Sequence, residues 1–413
     1  MRADIVVGLQ WGDEGKGKVV DYLASLYNAV VRFNGGPNAG HTVIANNTSF
    51  TFHHIPSGAL RGTKLFIAPG MLVNPEILND EILSLKQLVS SFYLKIDSRT
   101  SLITPADVVL DKKIEELKGA SSIGTTLRGI GPAYSSKALR ISPRVVDVLN
   151  ESFDFSIYKK LYNVEFESEL WLKNAKKTLK DYASDVREEL LEILSKQGNV
   201  LFESAQGTLL DPIYGTYPYV TSSNTTASYA FVSSGIPYKY SGKVIGVLKA
   251  YSTRVGKGPM PTEMSEDLAM VIREGGKEYG ATTGRARRIG WLDIPALKYA
   301  TEINGTDEIF ITKLDVLSGI KELKVAVSYN IDGKEVENFS PLENIESAKA
   351  VYQNLDPIPK LYASDVSYII KNGWRAAPVQ MRKYVSFIEE SLRTKISYAS
   401  LGAERGMTVI MMK

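Results

Sequence analysis

The sequence predicts an α/β fold with a large, mostly parallel central sheet flanked by helices, and with small antiparallel hairpin additions. Three observations carry this reading. Short β-rich runs recur along the chain and are continuously apolar, as in strands buried on both faces. Helix-period segments lie between them, the alternation that builds parallel sheets. Glycine-rich loops follow several of the runs, where open α/β sheets bind ligands.

Taken in order, the predicted strands are Ile5–Val7, Ala29–Phe33, Leu65–Ala68, Val200–Glu203, Val244–Ala250 and Ile309–Thr312. Pro75–Val89 predicts a helix, with Pro75 near its start. Thr178–Lys196 predicts another, because Leu179, Tyr182, Val186, Leu190 and Leu194 recur at three- and four-residue steps with charges opposite. Val325–Ile331 and Lys334–Phe339 flank Asp332-Gly333, a hairpin signal that predicts an antiparallel edge on the fold. The sequence shows no internal repeat, low-complexity tract or obvious linker.

Composition narrows the function. Hydrophobic residues make up 44% and charged residues 23% of 413, ordinary globular usage that can bury a large core without staples. There is no cysteine, which removes disulfides, thiolate nucleophiles and cysteine metal sites. The apolar run Ile5-Val6-Val7 is too short for a signal-peptide core, and no segment approaches the roughly 20 apolar residues of a membrane span. A cytoplasmic location is expected. With 49 basic and 46 acidic residues and a net charge of +3, the chain lacks the basic stripe of nucleic-acid binders. Small anionic ligands need only a few placed cations.

Six segments carry candidate chemistry. Gly12-Asp13-Glu14-Gly15-Lys16-Gly17-Lys18 follows the first strand and satisfies G-x-x-x-x-G-K, with Val19 where a P-loop has Ser or Thr. Its glycines let backbone N–H groups wrap a phosphate at a helix N-terminus, and Lys16 and Lys18 supply cations. Lacking the hydroxyl, Asp13 becomes the candidate magnesium ligand. The central sheet is therefore expected to be P-loop NTPase-like. Asn34–Thr42 follows the second strand and contains His41, placed to protonate or hydrogen-bond a phosphate oxygen; His53 and His54, adjacent in a β-like run, read as structural. Ile123–Pro132 combines hydroxyls, Arg128 and glycines, which suits an anion. Glu203–Thr208 follows a strand, and Tyr219–Thr226 lies further on; separately, both are more often loops than sites. Ala281–Arg288 carries Arg285, Arg287 and Arg288 on a Thr/Gly loop, able to clamp carboxylate or phosphate in fork geometry. Thr312-Lys313-Leu314-Asp315 is similar to the N-K-x-D element of GTP-binding proteins, whose aspartate accepts from guanine N1–H and amino groups. Adenine offers no such pair, and a carboxylate left unpaired is costly, so GTP is favoured over ATP.

Together these segments resemble the adenylosuccinate synthetase family. The matching blocks include Gln10–Lys18, Asn38–Thr42, Gly129–Tyr134, Ala205–Asp211, Thr216–Thr226, Lys249–Gly256, Gly280–Arg285, Gly290–Asp293 and Thr312–Leu317, in family order over nearly the whole chain. The resemblance implies one domain over 1–413 and a ligase joining IMP to L-aspartate as GTP becomes GDP and phosphate, the committed step from IMP to AMP. It implies Asp13 as the base on hypoxanthine N1, 6-phosphoryl-IMP as intermediate, and His41, Lys16 and Gln206 as its catalytic companions. It implies Mg2+ held by Asp13 and the Gly40 carbonyl, and GTP contacts from Gly12, Glu14, Gly15, Gly17, Lys18, Thr42, Arg287, Lys313, Asp315, Ser400 and Gly402. IMP falls to Asn38, Thr126, Gln206, Thr221 and Arg285. L-Aspartate falls to a loop comprising Ala281, Thr282, Thr283, Gly284, Arg285 and onward to Arg287. Arg140 matches an arginine that reaches into the partner's IMP site, which implies a homodimer.

The chain departs from the family pattern at Leu127, Ser204, Ser228-Tyr229 and Leu401, the last inside the guanine loop. The alternative reading is a GTP-binding regulatory module; Asp13, His41 and the arginine loop argue against it, because a switch needs no second substrate site. An ATP-dependent ligase and a viral dGMP-specific branch lacking the equivalent of Asp13 rank lower.

Overall fold

The structure is a computed structural model describing residues 2–45, 48–280 and 284–411. Ten strands form the main sheet. From edge to edge they are Thr408–Ile410, Lys395–Ser400, Glu308–Thr312, Ser241–Lys249, Arg2–Gly8, Asn199–Glu203, Ala29–Arg32, Lys64–Ile67, Leu94–Asp97 and Ala183–Ser184. Every neighbouring pair is parallel except Lys395–Ser400 with Thr408–Ile410. The central strand Arg2–Gly8 is buried at every position but Arg2, which is why its sequence is a continuous apolar run rather than an alternation. All six predicted strands lie in this sheet.

Parallel strands point their C-terminal ends the same way, so the loops after Gly8, Arg32, Glu203, Lys249, Thr312 and Ser400 share one edge. That edge carries the site. The Pro75–Leu88 helix matches its prediction, capped by Asn74 Oδ1, which accepts from the N–H groups of Glu76 (3.0 Å) and Ile77 (3.2 Å).

One expectation is corrected. Thr178–Lys196 is not one helix: a preceding helix ends at Leu179, Ala183–Ser184 becomes the sheet's edge strand, and a new helix runs Val186–Ser195. The break is chemical, because the Asp185 carboxylate accepts from Glu188 N–H at 3.2 Å as an N-cap; the apolar periodicity simply continues across it. The Asp332-Gly333 hairpin forms, with both residues at positive φ (51° and 83°). It forms one of the small antiparallel additions, in a separate sheet with Leu292–Asp293 and Lys349–Leu355. Among the described residues no helix is long and apolar enough to cross a membrane.

Candidate active site

The first loop is shaped from within. Gly12 (φ 87°), Asp13 (φ 59°) and Gly15 (φ 95°) all take left-handed backbone before the Lys16–Leu23 helix begins. For Asp13 this is a strained conformation, of the kind that concentrates at functional sites. Glu14 turns inward, fully buried; its Oε1 accepts from the N–H groups of Gln10 (3.1 Å) and Gly12 (2.9 Å), and its Oε2 from Lys16 Nζ (2.6 Å). Glu14 thus organises the loop, leaving Asp13 as the carboxylate facing the cleft. The 206–208 loop packs against it so closely that a Cβ on Gly207 would sit 2.4 Å from Glu14 Oε1 and 2.6 Å from Gly12 N. Only glycine fits there.

A cleft of about 980 Å3 opens above these loops. Gly12, Asp13, Gly15, Lys16, Gly17 and Lys18 line its floor, with Gly40, His41 and Thr42 beside them. Asn38, Thr126, Gln206 and Thr221 line one part, and Arg287, Lys313, Ser400 and Gly402 another. Residues distant in sequence are therefore brought together as the motifs required. Glu14, behind the floor, and Asp315, two residues past Lys313, are not themselves on the lining. Gly284 and Arg285 sit on the exposed arginine loop. Ala281, Thr282 and Thr283 lie outside the described residues. Arg140 is exposed at the C-terminal end of the Ile130–Leu139 helix and does not line the cleft.

Unpaired buried atoms mark where ligands are wanted. Asn38 donates to Thr221 Oγ1 at 3.5 Å, while Asn38 Oδ1 has no partner. Gln206, at φ 57°, holds its Oε1 buried and unpaired. Asp315 Oδ1 is in the same state; burial raises the Asp315 carboxyl from its ordinary value, against Lys313 and Lys18, which lower it. An unmade hydrogen bond at a buried oxygen costs about 1–3 kcal/mol, a debt that a ligand's donors can cancel.

Lys18 behaves differently from a phosphate clamp. Its ammonium donates to Ser400 Oγ (2.6 Å), Gly402 O (2.7 Å) and Met407 O (3.1 Å), so its donors brace the 400–407 loop. Burial lowers its pKa to about 7, with Asp315 pulling the other way. Arg405 adds a second brace, gripping Asp21 through Nε and Nη2, both at 2.7 Å. Within this loop Leu401 points into the core, and its N–H donates to Met407 O at 3.0 Å. The departure at 401 is therefore a packing residue.

His41 is buried with Nδ1 bonded to Glu203, whose carboxylate also accepts from Ser57 N–H (2.8 Å) and Ser57 Oγ (2.5 Å). Burial lowers the His41 pKa and Arg32 adds to this, while Glu203 opposes. Burial alone would raise Glu203, but His41, Arg32 and Ser57 hold it below the usual carboxylate range. The ring is thus fixed with Nδ1–H toward Glu203 and Nε2 free to face outward. His53 and His54 are structural, as expected: His53 Nδ1 contacts Ala39 O at 2.6 Å, and His54 Nε2 accepts from Asn74 N–H at 3.0 Å.

Residue reasoning gave no role to Glu203, nor to Arg254 and Glu278. Glu203's signal was present: a lone carboxylate ending the buried run Val200-Leu201-Phe202. Arg254 is buried, donates to Tyr219 O (2.9 Å), Thr216 Oγ1 (3.1 Å) and Pro259 O (2.7 Å), and lies 5.7 Å from the Trp11 ring centre. It fixes the loop that carries Thr221. Asp111 and Glu115 do the same for the Thr126 loop, accepting from Gly129 N–H (2.9 Å) and Gly124 N–H (2.9 Å).

Among the described residues no group of three or more His, Asp or Glu gathers as a metal cage. The Asp13 carboxylate and the backbone of Gly40, both on the cleft lining, are a donor set that suits a magnesium ion completed by nucleotide phosphates and water, since Mg2+ is commonly held by one or two carboxylates plus substrate.

With this geometry in view, the comparisons are specific. The adenylosuccinate synthetase family model matches residues 5–409. The adenylosuccinate synthetase of Picrophilus torridus is 43% identical over 420 residues, covering 98% of this chain and 99% of that protein. That of Thermoplasma volcanium is 40% identical, covering 99% and 97%. The fully ligated adenylosuccinate synthetase of Plasmodium falciparum superposes with a TM-score of 0.92 at 36% identity, covering 100% of both chains. A cyanophage S-2L succinoaminodeoxyadenylate synthetase shares the fold, with a TM-score of 0.67 at 17% identity. The chain belongs to the adenylosuccinate synthetase family of ligases.

Proposed function

We propose that the cleft condenses IMP with L-aspartate to adenylosuccinate while GTP becomes GDP and phosphate. The observation that carries this is the pairing of two kinds of unmet demand around one cleft. Just behind the lining at Lys313, Asp315 holds a buried, unpaired carboxylate oxygen suited to guanine's donors, and Asn38 and Gln206 on the lining hold unpaired oxygens suited to a second ligand. A regulatory module would need only the first.

Asp13 faces the cleft and takes the N1 proton of the hypoxanthine ring. The 6-oxygen, now carrying the charge, attacks the γ-phosphorus of GTP, and the bond to the β-bridging oxygen breaks to release GDP. The amine of L-aspartate then attacks C6 and phosphate leaves. A ring carbonyl oxygen is a poor leaving group and a phosphate a good one. A carboxylate is intrinsically a weak base, so the step depends on stabilising the oxyanion as it forms. Lys16, held by Glu14 at 2.6 Å, supplies fixed positive charge at that place. His41, with Nδ1 bound to Glu203, presents Nε2 to the phosphoryl oxygens. A magnesium ion held by Asp13 and the Gly40 carbonyl would neutralise phosphate charge. Arg285 and the 281–287 loop take L-aspartate, and Arg140 serves the partner's IMP site in a homodimer acting in the cytoplasm.

The test is product formation from IMP, L-aspartate, GTP and magnesium, with single omissions and with ATP in place of GTP. Adenylosuccinate and GDP should appear together and every omission should stop both. GDP released without IMP would move the regulatory reading ahead.

A further inference from the structure

The buried carboxylate of Glu278 is not used by the chemistry above, yet it sits one bond away from it. Glu278 is fully buried. Its Oε2 accepts from Lys249 Nζ (2.9 Å) and Arg287 Nη1 (2.5 Å), and its Oε1 from Tyr251 OH (2.6 Å). Arg287 in turn places Nε 2.7 Å from Asp13 Oδ2, an ion pair without the alignment of a hydrogen bond. A chain of alternating charge thus runs from Asp13 through Arg287 and Glu278 to Lys249.

The backbone repeats the same link. Arg287 N–H donates to Glu278 O at 3.0 Å, Tyr279 bridges Ala286, and Gly280 N–H donates to Arg285 O at 2.8 Å. Residues 278 and 287 therefore close the base of the arginine loop twice over, once through backbone and once through side chains. Below that base Lys249 is anchored by its own bond to Thr253 Oγ1 at 2.8 Å. Lys249 also ends a central strand of the sheet. The latch ties a surface loop to the central sheet.

We propose that Glu278 is a positioning residue for L-aspartate: it fixes Arg287 and the base of the arginine loop, and so sets where Arg285 and Arg287 meet the incoming carboxylates. This rests on the assignment of that loop to L-aspartate. The latch also explains why Arg287 does not collapse fully onto Asp13. Glu278 competes for the same guanidinium and leaves Asp13 only the Nε contact. Without Glu278, two buried cations, Arg287 and Lys249, would face Asp13 alone, and the loop would lose its side-chain closure while keeping its backbone.

The experiment is steady-state kinetics on the full-length chain with Glu278→Gln, an isosteric change that removes the charge, after a check of folding by circular dichroism and thermal melting. The KM for L-aspartate should rise at least tenfold while the KM for IMP stays within twofold. A purely structural role would lower the melting temperature and leave the ratio of the two KM values unchanged. Equal changes in both, or none, would overturn the proposal. Wild-type turnover with L-aspartate is measured alongside, so a failure of the ligase assignment shows as no product in either protein. Should Glu278→Gln fail to fold, the pair Glu278→Gln with Lys249→Met removes carboxylate and cation together. The double variant should show the same selective loss for L-aspartate. If it restores the wild-type KM, Glu278 serves only to neutralise Lys249 and the proposal is wrong.

Discussion

Asp315→Asn is the sharpest probe of the nucleotide end of the cleft. The carboxylate presents one buried oxygen with no partner, and guanine presents an N1–H and a 2-amino group. An asparagine keeps one acceptor but turns a donor toward the amino group. One charge-assisted hydrogen bond is lost outright, and such bonds are worth about 1.5–3 kcal/mol. At about 1.4 kcal/mol per tenfold, the KM for GTP should rise roughly 10- to 150-fold. The same substitution should favour xanthosine triphosphate, which carries a carbonyl where guanine has the amino group and can accept from the new amide. The assay is coupled GDP or XDP release at saturating IMP and L-aspartate, run for both nucleotides on both proteins. The KM ratio of GTP to xanthosine triphosphate should invert. An unchanged KM for GTP would falsify the guanine assignment, whatever the remaining activity.

Four further outcomes are expected. Asp13→Ala should abolish turnover while GTP still binds in equilibrium titration; full activity would remove Asp13 as the base. Glu203→Gln releases the His41 ring, and the loss of a charged hydrogen bond predicts a fall in kcat of roughly 10- to 150-fold, with the KM for IMP nearly unchanged; a change confined to KM would point elsewhere. Leu127 holds φ 55°, a conformation costing roughly 1–2 kcal/mol, so Leu127→Gly should keep stability or raise it by up to about 1.5 kcal/mol in urea unfolding, after roughly 0.5–1 kcal/mol for glycine's entropy. Buried Asp293 is pushed up to about 6 by burial, with Tyr329 opposing. Its folded pKa lies above its unfolded one, so its contribution falls as pH rises from about 4 through 6, by about 3 kcal/mol at most. The melting-temperature difference between Asp293→Asn and wild type should therefore move in the variant's favour from pH 4 to pH 8, and a constant difference would refute it.

The parallel core was legible because a strand buried on both faces has to be apolar throughout, and Ile5–Val7 or Ile309–Thr312 could hardly be anything else. Edge strands were not: Ala183–Ser184 is two residues long, and its neighbour's 3.6-residue periodicity ran straight over the Asp185 cap. The glycine- and charge-rich segments stood out as motifs by composition and spacing, and most of them line one cleft. What holds those motifs in place was hidden. Glu203, Arg254 and Glu278 act through partners 146, 35 and 29 residues away, and no local pattern records a tertiary hydrogen bond. Backbone strain was equally silent: nothing about Asp13, Gln206 or Lys313 as residue types announces a left-handed conformation, yet all three adopt one.

The grip of Lys18 on Ser400 spans 382 residues, and that has a consequence in time. At about 5–20 residues per second, a ribosome needs roughly 20–80 s to make the second half of this contact after the first. Throughout that interval the loop before the Lys16–Leu23 helix exists without the Ser400–Gly402 turn, and the sheet lacks its edge strands Lys395–Ser400 and Thr408–Ile410. Nucleotide therefore cannot rescue a half-made chain: its stabilising effect, which grows with free ligand over Kd, reaches only molecules that have already closed the circle. A cell rich in nucleotide would protect finished copies from unfolding and leave unfinished ones to its chaperones.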